Sequence, residues 1–264
     1  MVTVAAIQHD IWWEQPAMNF ERLAPRIAAA AGSGARLVVL TEMFSTGFSM
    51  HTDATAEPLD GPSTTFLIEQ AARTGAWVGG TLPALHDGFD RPHNTFTLAG
   101  PDGQVHRYSK IHPFTYSGEH EHFASGQELL TVDVGSLRVT MFVCYDLRFA
   151  DEFWTTALNT DVYLIPANWP ESRRTHWQAL LRARAIENQA YVVGCNRVGT
   201  GGKLSYVGDS AIIDPYGRVL AEAAHTESTL YAEVDPLVVR ETRERYPFLQ
   251  DRRHDQLLPS ERQP

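Results

Sequence analysis

The segment LRVTMFVCYDLR, residues 137–148, decides how the rest of the chain is interpreted. Its first seven residues are mostly apolar, and a short apolar run of this kind is typical of a buried strand. The residues after the following polar segment, 149–158, have the length and composition of a helix. A thiol at a strand-to-helix junction is exposed at the edge of a sheet near the positive end of the helix, and both conditions favour a reactive thiolate. The segment therefore predicts a functional cysteine, Cys144, in an α/β fold.

The segments on either side alternate between strand and helix patterns. Strands are predicted at residues 2–7, 36–40, 77–82, 162–167 and 191–198, and helices at 62–74, 175–188 and in a stretch that ends near residue 32. Two hairpins are predicted where the turns PDG at 101–103 and PYG at 215–217 separate short strand-like runs. The chain thus has two halves of similar organisation. Since helices must cover one face of each sheet, the pattern predicts a two-sheet sandwich with helices outside.

Composition limits the class of protein. At 264 residues and 43% hydrophobic content, the chain can bury a large core, and we expect residues 1–264 to form a single α/β domain. The formal charge of −10 argues against nucleic acid or an anionic membrane surface as a partner. Two cysteines give no disulfide framework, and no apolar stretch reaches the roughly 18 residues of a spanning helix. Because the start also has no basic region or cleavage site, we expect a cytoplasmic protein.

Two other reactive side chains also follow predicted strands. Glu42 comes after the buried run that ends at Thr41, and Lys110 comes after the second strand of the first hairpin. With Cys144 they form a set suited to nucleophilic catalysis at a sheet edge. The glutamate can act as a base, the sulfur can attack a carbonyl or nitrile carbon, and the lysine with the backbone N–H of Tyr145 can stabilise an oxyanion.

The segments that carry these residues resemble the three signature blocks of the nitrilase superfamily of carbon–nitrogen hydrolases. They are TEMF at 41–44, YSKIH at 108–112 and VCYDLRF at 143–149, in the order found in that family. The resemblance extends from Val4 to about Arg253. It implies an α-β-β-α sandwich with a Glu-Lys-Cys triad at Glu42, Lys110 and Cys144, and it implies no cofactor.

Three further segments look most like the bacterial omega-amidase branch of that superfamily. They are ANWP at 167–170, RARAIENQAY at 182–191 and GCNRVG at 194–199. This resemblance implies hydrolysis of the terminal amide of 2-oxo dicarboxylic acid monoamides, such as 2-oxoglutaramate and 2-oxosuccinamate, through a thioester that releases ammonia. The alternatives are a deaminated-glutathione amidase, an N-carbamoyl amide hydrolase, or a non-catalytic binding protein on this fold. A nitrile substrate is disfavoured, since CYD at 144–146 departs from the Cys-Trp-Glu usual in true nitrilases.

The superfamily commonly has a second glutamate shortly after the lysine. The segment SGEHEHF at 117–123 offers Glu119 and Glu121, and Glu119 matches the omega-amidase pattern better. A second carboxylate there would favour the charged form of Lys110.

The histidines in the same region raise the question of a metal. His112, His120 and His122, with Glu119, are of the residue types that bind zinc. However, His120 and His122 are two residues apart rather than at the helical i, i+4 spacing of a zinc protease. We therefore expect no metal.

A substrate with a 2-oxo carboxylate requires a cation, and Arg148 is nearest to the nucleophile in sequence. The alternative is that Arg148 forms a structural pair with Asp151 or Glu152. Two more arginines, Arg173 and Arg174, follow the segment ANWP. The residues expected to bind substrate are Phe114, Tyr145, Arg148, Asn168 and Trp169.

Other residues are assigned from their surroundings in the sequence. Phe44 and Phe48 are further candidates for apolar walls of the site. Cys195 ends an apolar strand and is expected to be buried. The C-terminal tail, about 236–264, has mixed charge and then apolar residues, and in the resembled family such tails lie across a dimer interface. We therefore expect a homodimer.

Overall fold

The structure is a computed structural model that describes residues 1–253; residues 254–264 lie outside the described part. The described chain forms strands β1 (Val2–Gln8), β2 (Leu37–Val39), β3 (Glu57–Pro58), β4 (Trp77–Leu85), β5 (His93–Ala99), β6 (Val105–Ser109), β7 (Thr131–Val134), β8 (Leu137–Met141), β9 (Val162–Ala167), β10 (Tyr191–Asn196), β11 (Val198–Gly201), β12 (Leu204–Ile213), β13 (Val219–Ala224) and β14 (Ser228–Val234). Its α-helices are α1 (Pro16–Gly32), α2 (Thr52–Thr55), α3 (Pro62–Thr74), α4 (Glu119–His122), α5 (Ala150–Thr156), α6 (Arg174–Asn188) and α7 (Pro236–Arg245). Short 3-10 helices occur at Thr115–Ser117, Cys144–Arg148, Ala157–Asn159 and Glu171–Arg173.

The strands form two sheets with a common internal layout. The first has the order β14-β1-β2-β4-β5-β6, with β3 beside β4, and the second has the order β11-β12-β10-β9-β8-β7, with β13 beside β12. Three parallel strands lie at the centre of each sheet: β1, β2 and β4 in the first, and β8, β9 and β10 in the second. Antiparallel strands flank each set. The prediction of two similar halves is therefore confirmed at the level of topology.

Alternation along β1 shows how the layers are arranged. Val4 and Ala6 belong to the core shared with the second sheet, whereas Ala5 and Ile7 pack in a separate core with side chains of α1 and α3. Because successive side chains of a strand point to opposite faces, the first sheet has one face under helices and one face against its partner sheet. On the second sheet, residues of α6 such as Leu181 pack into the main core. The predicted α-β-β-α sandwich is confirmed.

Several predicted bounds match the structure, but the junction after Cys144 differs. Helix α3 and strand β9 have the predicted limits. After Cys144, however, the chain forms a 3-10 helix to Arg148 and only then the short α5. The cause is local: the Asp146 carboxylate accepts the N–H of Val143 at 3.0 Å, and Phe149 has an extended conformation that ends the turn. The helix predicted at 149–158 is present as α5 and the 3-10 helix Ala157–Asn159, whereas the 3-10 helix at Cys144–Arg148 was not predicted.

The beginning of the predicted C-terminal tail packs on its own chain. Arg243 of α7 donates from Nη2 to the backbone carbonyls of Ala157, Thr160 and Asn188, at 2.8, 2.7 and 3.1 Å. The rest of the predicted tail, residues 254–264, lies outside the described residues, and the dimer interface stays a prediction. Across residues 1–253, no helix has both the length and the apolar character needed to cross a bilayer.

A buried histidine connects β1 to the segment after β2. His9 is 3% exposed, with Nδ1 3.1 Å from the carbonyl oxygen of Asp10 and Nε2 2.9 Å from the hydroxyl of Thr41. A neutral ring satisfies both contacts by donating to the carbonyl and accepting from the hydroxyl. Burial lowers the pKa of His9 from 6.5 to about 3, so the folded chain keeps this ring neutral.

This burial predicts a loss of stability in acid. As the pH falls from 6.5 towards 3, the unfolded chain gains a proton at His9 that the folded chain does not accept. The free energy of unfolding should therefore decrease by up to about 1.4 kcal/mol per pH unit from this residue. Urea unfolding of wild type and His9→Gln between pH 4 and 7 measures the effect, and the variant should show a shallower slope. Parallel slopes would contradict the assignment.

Candidate active site

The site is built around a buried ammonium group between two buried carboxylates. Glu42 lies just beyond the end of β2, Lys110 follows β6 directly, and Glu119 is the first residue of α4. The Nζ atom of Lys110 is 3.0 Å from Oε1 of Glu42, and 3.0 and 2.8 Å from the two oxygens of Glu119. None of the three side chains is more than 1% exposed. Charges buried this deeply are stable only when paired and hydrogen-bonded, and here they are.

Cys144 lies in the same region but is accessible. Its side chain is partly exposed, and it lines a cavity together with Lys110. The residue has a φ of 46°, and Met43, directly after Glu42, has a φ of 47°. Left-handed conformations are uncommon for residues with a side chain and often occur at functional sites. In both segments that follow these strands, the backbone therefore turns sharply at or next to a reactive residue.

The charges of the cluster shift its pKa values in identifiable directions. Burial alone would lower the pKa of Lys110, but the charges of Glu119 and then Glu42 outweigh it and raise that pKa. Burial raises the pKa of Glu119, and Lys110 opposes this effect. The lysine is therefore a permanent cation at neutral pH.

The thiol behaves differently from the expectation based on sequence. Burial and then the charge of Glu42 raise the pKa of Cys144 well above its ordinary value, although Lys110 and the backbone amide of Asn168 oppose the shift. The raised pKa opposes the thiolate that the strand-to-helix position was expected to favour, and it agrees with the expectation that Glu42 acts as a base. The 3-10 helix that begins at Cys144 has only five residues, so its dipole does little to stabilise a thiolate. The charges of Glu42 and Glu119 act against a thiolate as well. Any attack by this sulfur therefore requires a base that removes its proton.

Two positioning residues escaped the sequence analysis. Asn94 on β5 donates from Nδ2 to Oε1 of Glu42 at 2.8 Å and to Oε1 of Glu119 at 3.1 Å. Asp146 accepts from the hydroxyl of Tyr108 at 2.8 Å and from the N–H of His112 at 2.9 Å, in addition to the N–H of Val143. The sequence did contain a signal for each residue. Asn94 is an amide within an apolar strand, and Asp146 is an acid two residues after the cysteine.

Asn168 holds Glu42 from the opposite sheet. Its backbone N–H donates to Oε2 of Glu42 at 2.7 Å, and its side-chain Nδ2 donates to the backbone oxygen of Glu42 at 2.7 Å. Since Asn168 follows β9 and Glu42 follows β2, these bonds join the two sheets at the site. The structure therefore gives Asn168 a positioning contact that its predicted role in substrate binding did not include.

The cavity beside Cys144 has a volume of about 70 Å³. It is lined by all five residues predicted to bind substrate: Phe114, Tyr145, Arg148, Asn168 and Trp169. Phe48, Arg173 and Tyr206 also line it. Phe44 does not, because its ring packs in the helix-covered core between Phe20 and Phe66. The expectation that Phe44 forms a wall of the site is wrong.

The predicted alternative of a structural ion pair for Arg148 does not occur. Within residues 1–253, Arg148 has no salt bridge to Asp151 or Glu152, and Glu152 lies instead 3.3 Å from Nε2 of His112. The guanidinium of Arg148 lies over the ring of Trp169, 4.7 Å from its centroid. Arg148 thus reaches the cavity with its charge uncompensated by a carboxylate.

The other acids and histidines near the site have ordinary roles. Glu121 is exposed, whereas Glu119 makes the contacts to Lys110. His112 bonds through Nδ1 to Asp146 at 3.0 Å, and His120 is exposed. In the part of the chain that the structure describes, no three potential ligands are grouped closely enough to hold a metal ion.

Cys195 is a core residue, as predicted. Its sulfur is 3.4 Å from the carbonyl oxygens of both Ile7 and Val39, and the side chain is fully buried. Burial raises the pKa of its thiol. Cys144 is therefore the accessible cysteine of the two.

Comparison with known proteins gives concordant matches. The sequence model of the carbon–nitrogen hydrolase family matches residues 3–244. The chain is 39% identical over 246 residues to the omega-amidase YafV of Escherichia coli K12, with 91% of this chain and 92% of the relative covered. It is 33% identical to the 2-oxoglutaramate amidase of Bacillus subtilis 168, with 96% and 98% covered. Among solved structures, the chain superposes on XC1258 from Xanthomonas campestris with a TM-score of 0.90 and 34% identity, covering 98% of this chain and 99% of that one. That structure is of a CN-hydrolase superfamily protein with an arsenic adduct in its active site.

The raised pKa of Cys144 predicts a spectroscopic result. A thiolate absorbs near 240 nm and a thiol does not, so we expect the difference spectrum between wild type and Cys144→Ser to show no thiolate signal at or below about pH 8.5, the ordinary cysteine pKa. Cys195, which is buried and present in both proteins, cancels. A thiolate signal that is already complete at pH 7 would contradict the prediction, because it would show that the charge of Lys110 lowers the thiol pKa more than burial and the carboxylates raise it.

Proposed function

The chain belongs to the carbon–nitrogen hydrolase family, and we propose that it is a cysteine-dependent amidase that hydrolyses the terminal amide of 2-oxo dicarboxylic acid monoamides such as 2-oxoglutaramate and 2-oxosuccinamate. The observation that carries the proposal is the cluster of Glu42, Lys110 and Glu119 in hydrogen-bond contact beside the accessible thiol of Cys144. Identities of 39% and 33% to proteins named omega-amidase and 2-oxoglutaramate amidase support the choice of substrate.

The first half of the reaction forms a thioester. Glu42 takes the proton of the Cys144 thiol while the sulfur attacks the amide carbon, and the carbonyl oxygen becomes an oxyanion. The N–H of Tyr145, in the first turn of the 3-10 helix where amides lack intrahelical partners, and the charge of Lys110 stabilise that oxyanion. One such donor is worth about 3 kcal/mol of barrier. Collapse of the adduct breaks the C–N bond, and the proton held by Glu42 passes to the leaving nitrogen, which departs as ammonia.

The second half releases the acid. Glu42, now a carboxylate again, takes a proton from water as the water oxygen attacks the thioester carbon. Collapse of this second adduct breaks the C–S bond, and Glu42 returns its proton to the sulfur. The product is the 2-oxo dicarboxylic acid, and the thiol is restored. Glu42 thus accepts and returns one proton in each half of the reaction: from the thiol to the leaving nitrogen, and then from water to the sulfur.

The base Glu42 is held in place by four neighbouring residues: Lys110, Glu119, Asn94 and Asn168. Lys110 and Asn94 each bridge Glu42 and Glu119, and Asn168 holds both the second oxygen and the backbone of Glu42. The carboxylate therefore cannot rotate away when its partner atoms change. We assign Glu119 the role of holding Lys110, which matches the second glutamate that the sequence indicates.

The cavity favours a small anionic amide over the alternatives. Arg148, which has no carboxylate partner within residues 1–253, is placed to bind the carboxylate of such a substrate. An N-carbamoyl compound remains the closest catalytic alternative, and a non-catalytic binding protein would hydrolyse none of these compounds. A cytoplasmic location stays a prediction.

Substitution of the nucleophile tests the mechanism. We expect Cys144→Ser to lower ammonia release from 2-oxoglutaramate by at least about 1,000-fold, because a hydroxyl in this site is a far weaker nucleophile than sulfur. The matched control is Cys195→Ala, which removes the other, buried cysteine and should keep activity within a few-fold. Acid-quenched wild type should show an acyl adduct by intact mass, and Cys144→Ser should not. A loss of only a few-fold in Cys144→Ser would contradict covalent catalysis at this residue.

We also propose that the protein is a homodimer, as the tail that includes α7 suggests by resemblance. Light scattering coupled to size-exclusion chromatography at micromolar concentration should give twice the mass of one chain. A mass of one chain under these conditions would contradict the proposal.

A further inference from the structure

Three of the five aromatic side chains that line the cavity have a guanidinium within 5.1 Å of the ring centroid. The pairs are Arg148 over Trp169 at 4.7 Å, Arg173 over Phe114 at 5.1 Å, and Arg197 over Tyr206 at 4.7 Å from the ring centroid. Stacking of this kind holds a guanidinium in a fixed plane without neutralising its charge.

The three arginines differ in what compensates their charge. Arg197 is fully buried behind its ring and pairs with Asp10 at 2.7 Å. Arg148 has one polar partner among residues 1–253, the Nδ1 atom of His176 at 3.3 Å. The side chain of Arg173 has no hydrogen bond or ion pair to any described residue, although it lines the cavity. Two guanidiniums therefore reach the cavity with free donors, in a protein of net charge −10.

Arg173 is held in position from both ends. Its carbonyl accepts the indole N–H of Trp169 at 2.8 Å, and its own N–H donates to the carbonyl of Pro170 at 3.0 Å. The ring on which it rests belongs to Phe114, whose backbone N–H donates to Oε2 of Glu119 at 2.5 Å. The backbone of Arg173 and the ring under its guanidinium are thus both held at the site, which limits the positions that the guanidinium can take.

The adjacent residue shows the contrast. Arg174 forms two bonds to the carboxylate of Asp209, at 2.9 and 2.8 Å, and faces a groove beside β12 away from Cys144. The chain therefore neutralises Arg174 with its own acid and leaves Arg173 available. A planar guanidinium with free donors is the preferred partner of a carboxylate, which it binds through two parallel bonds.

We propose that Arg173, together with Arg148, determines specificity by binding a carboxylate at the end of the substrate remote from the amide. This inference rests on the proposed function and assigns a residue to one part of it. A neutral amide of equal size would leave both guanidiniums without partners. A substrate with the carboxylate would occupy them while its amide carbon reaches the sulfur of Cys144.

The test compares two substrates of equal shape and different charge. They are succinamate and 4-methylpentanamide, in which an isopropyl group replaces the carboxylate. For Arg173→Gln we expect kcat/KM on succinamate to fall about 10- to 100-fold, mainly through KM, since a charge-assisted hydrogen bond contributes about 1.5–3 kcal/mol. On 4-methylpentanamide we expect a change of less than about threefold. Arg173→Lys, which keeps the charge but loses the planar fork, should fall between wild type and Arg173→Gln on succinamate.

Arg174→Gln is the matched control, and it should leave both substrates within about twofold of wild type. An equal loss on both substrates in Arg173→Gln would mean a structural role and would overturn the inference. Unchanged succinamate hydrolysis in that variant would overturn it as well. If wild type hydrolyses neither compound nor 2-oxoglutaramate, the proposed function itself fails. The two failures are therefore distinguishable.

Discussion

The ion cluster of Lys110 with Glu42 and Glu119 is the constraint on which the rest of the structure depends. An isolated charge in a protein interior costs several kcal/mol, and removing one partner of a buried pair leaves that cost uncompensated. The fold must therefore bring together the ends of β2 and β6 and the start of α4 whenever it closes its core. Asn94 and Asn168 satisfy the remaining carboxylate oxygens from two different sheets. Burial of the cluster thus links the reactive geometry to the packing of the whole sandwich.

Burial and the neighbouring cluster together raise the pKa of the Cys144 thiol. Burial is the largest cause, and the charge of Glu42 adds to it, while Lys110 opposes the shift. A helix of five residues offers little compensation. In the proposed mechanism Glu42 removes the thiol proton as the sulfur attacks, so the position of Glu42 matters more than any resting charge on sulfur. This accounts for the number of hydrogen bonds that hold one glutamate.

The sequence predicted those features that depend on local pattern. Helix α3 and strand β9 have the predicted limits because their apolar spacing and flanking turns are unambiguous. The reactive residues each follow a predicted strand, but it was the resemblance of their segments to the family blocks that singled them out. The raised pKa of Cys144 was not predictable, since it depends on burial and on the charge of Glu42, which is remote in sequence. Asp146 and Asn94 were missed because their partners are remote in sequence. The choice between Glu119 and Glu121 likewise required knowing which one faces Lys110.

The cavity has to combine two opposed requirements in the proposed function: carboxylates beside the sulfur, and binding of an anionic substrate. A site that keeps two carboxylates beside its nucleophile repels an anionic substrate, and the net charge of −10 adds to that repulsion. Binding such a substrate therefore requires cations whose charge the carboxylates of the cluster do not already compensate. Stacking on Trp169 and Phe114 meets this condition, because aromatic faces hold Arg148 and Arg173 without neutralising them. In the proposed function, the carboxylate of the substrate binds these guanidiniums while its neutral amide lies beside Cys144.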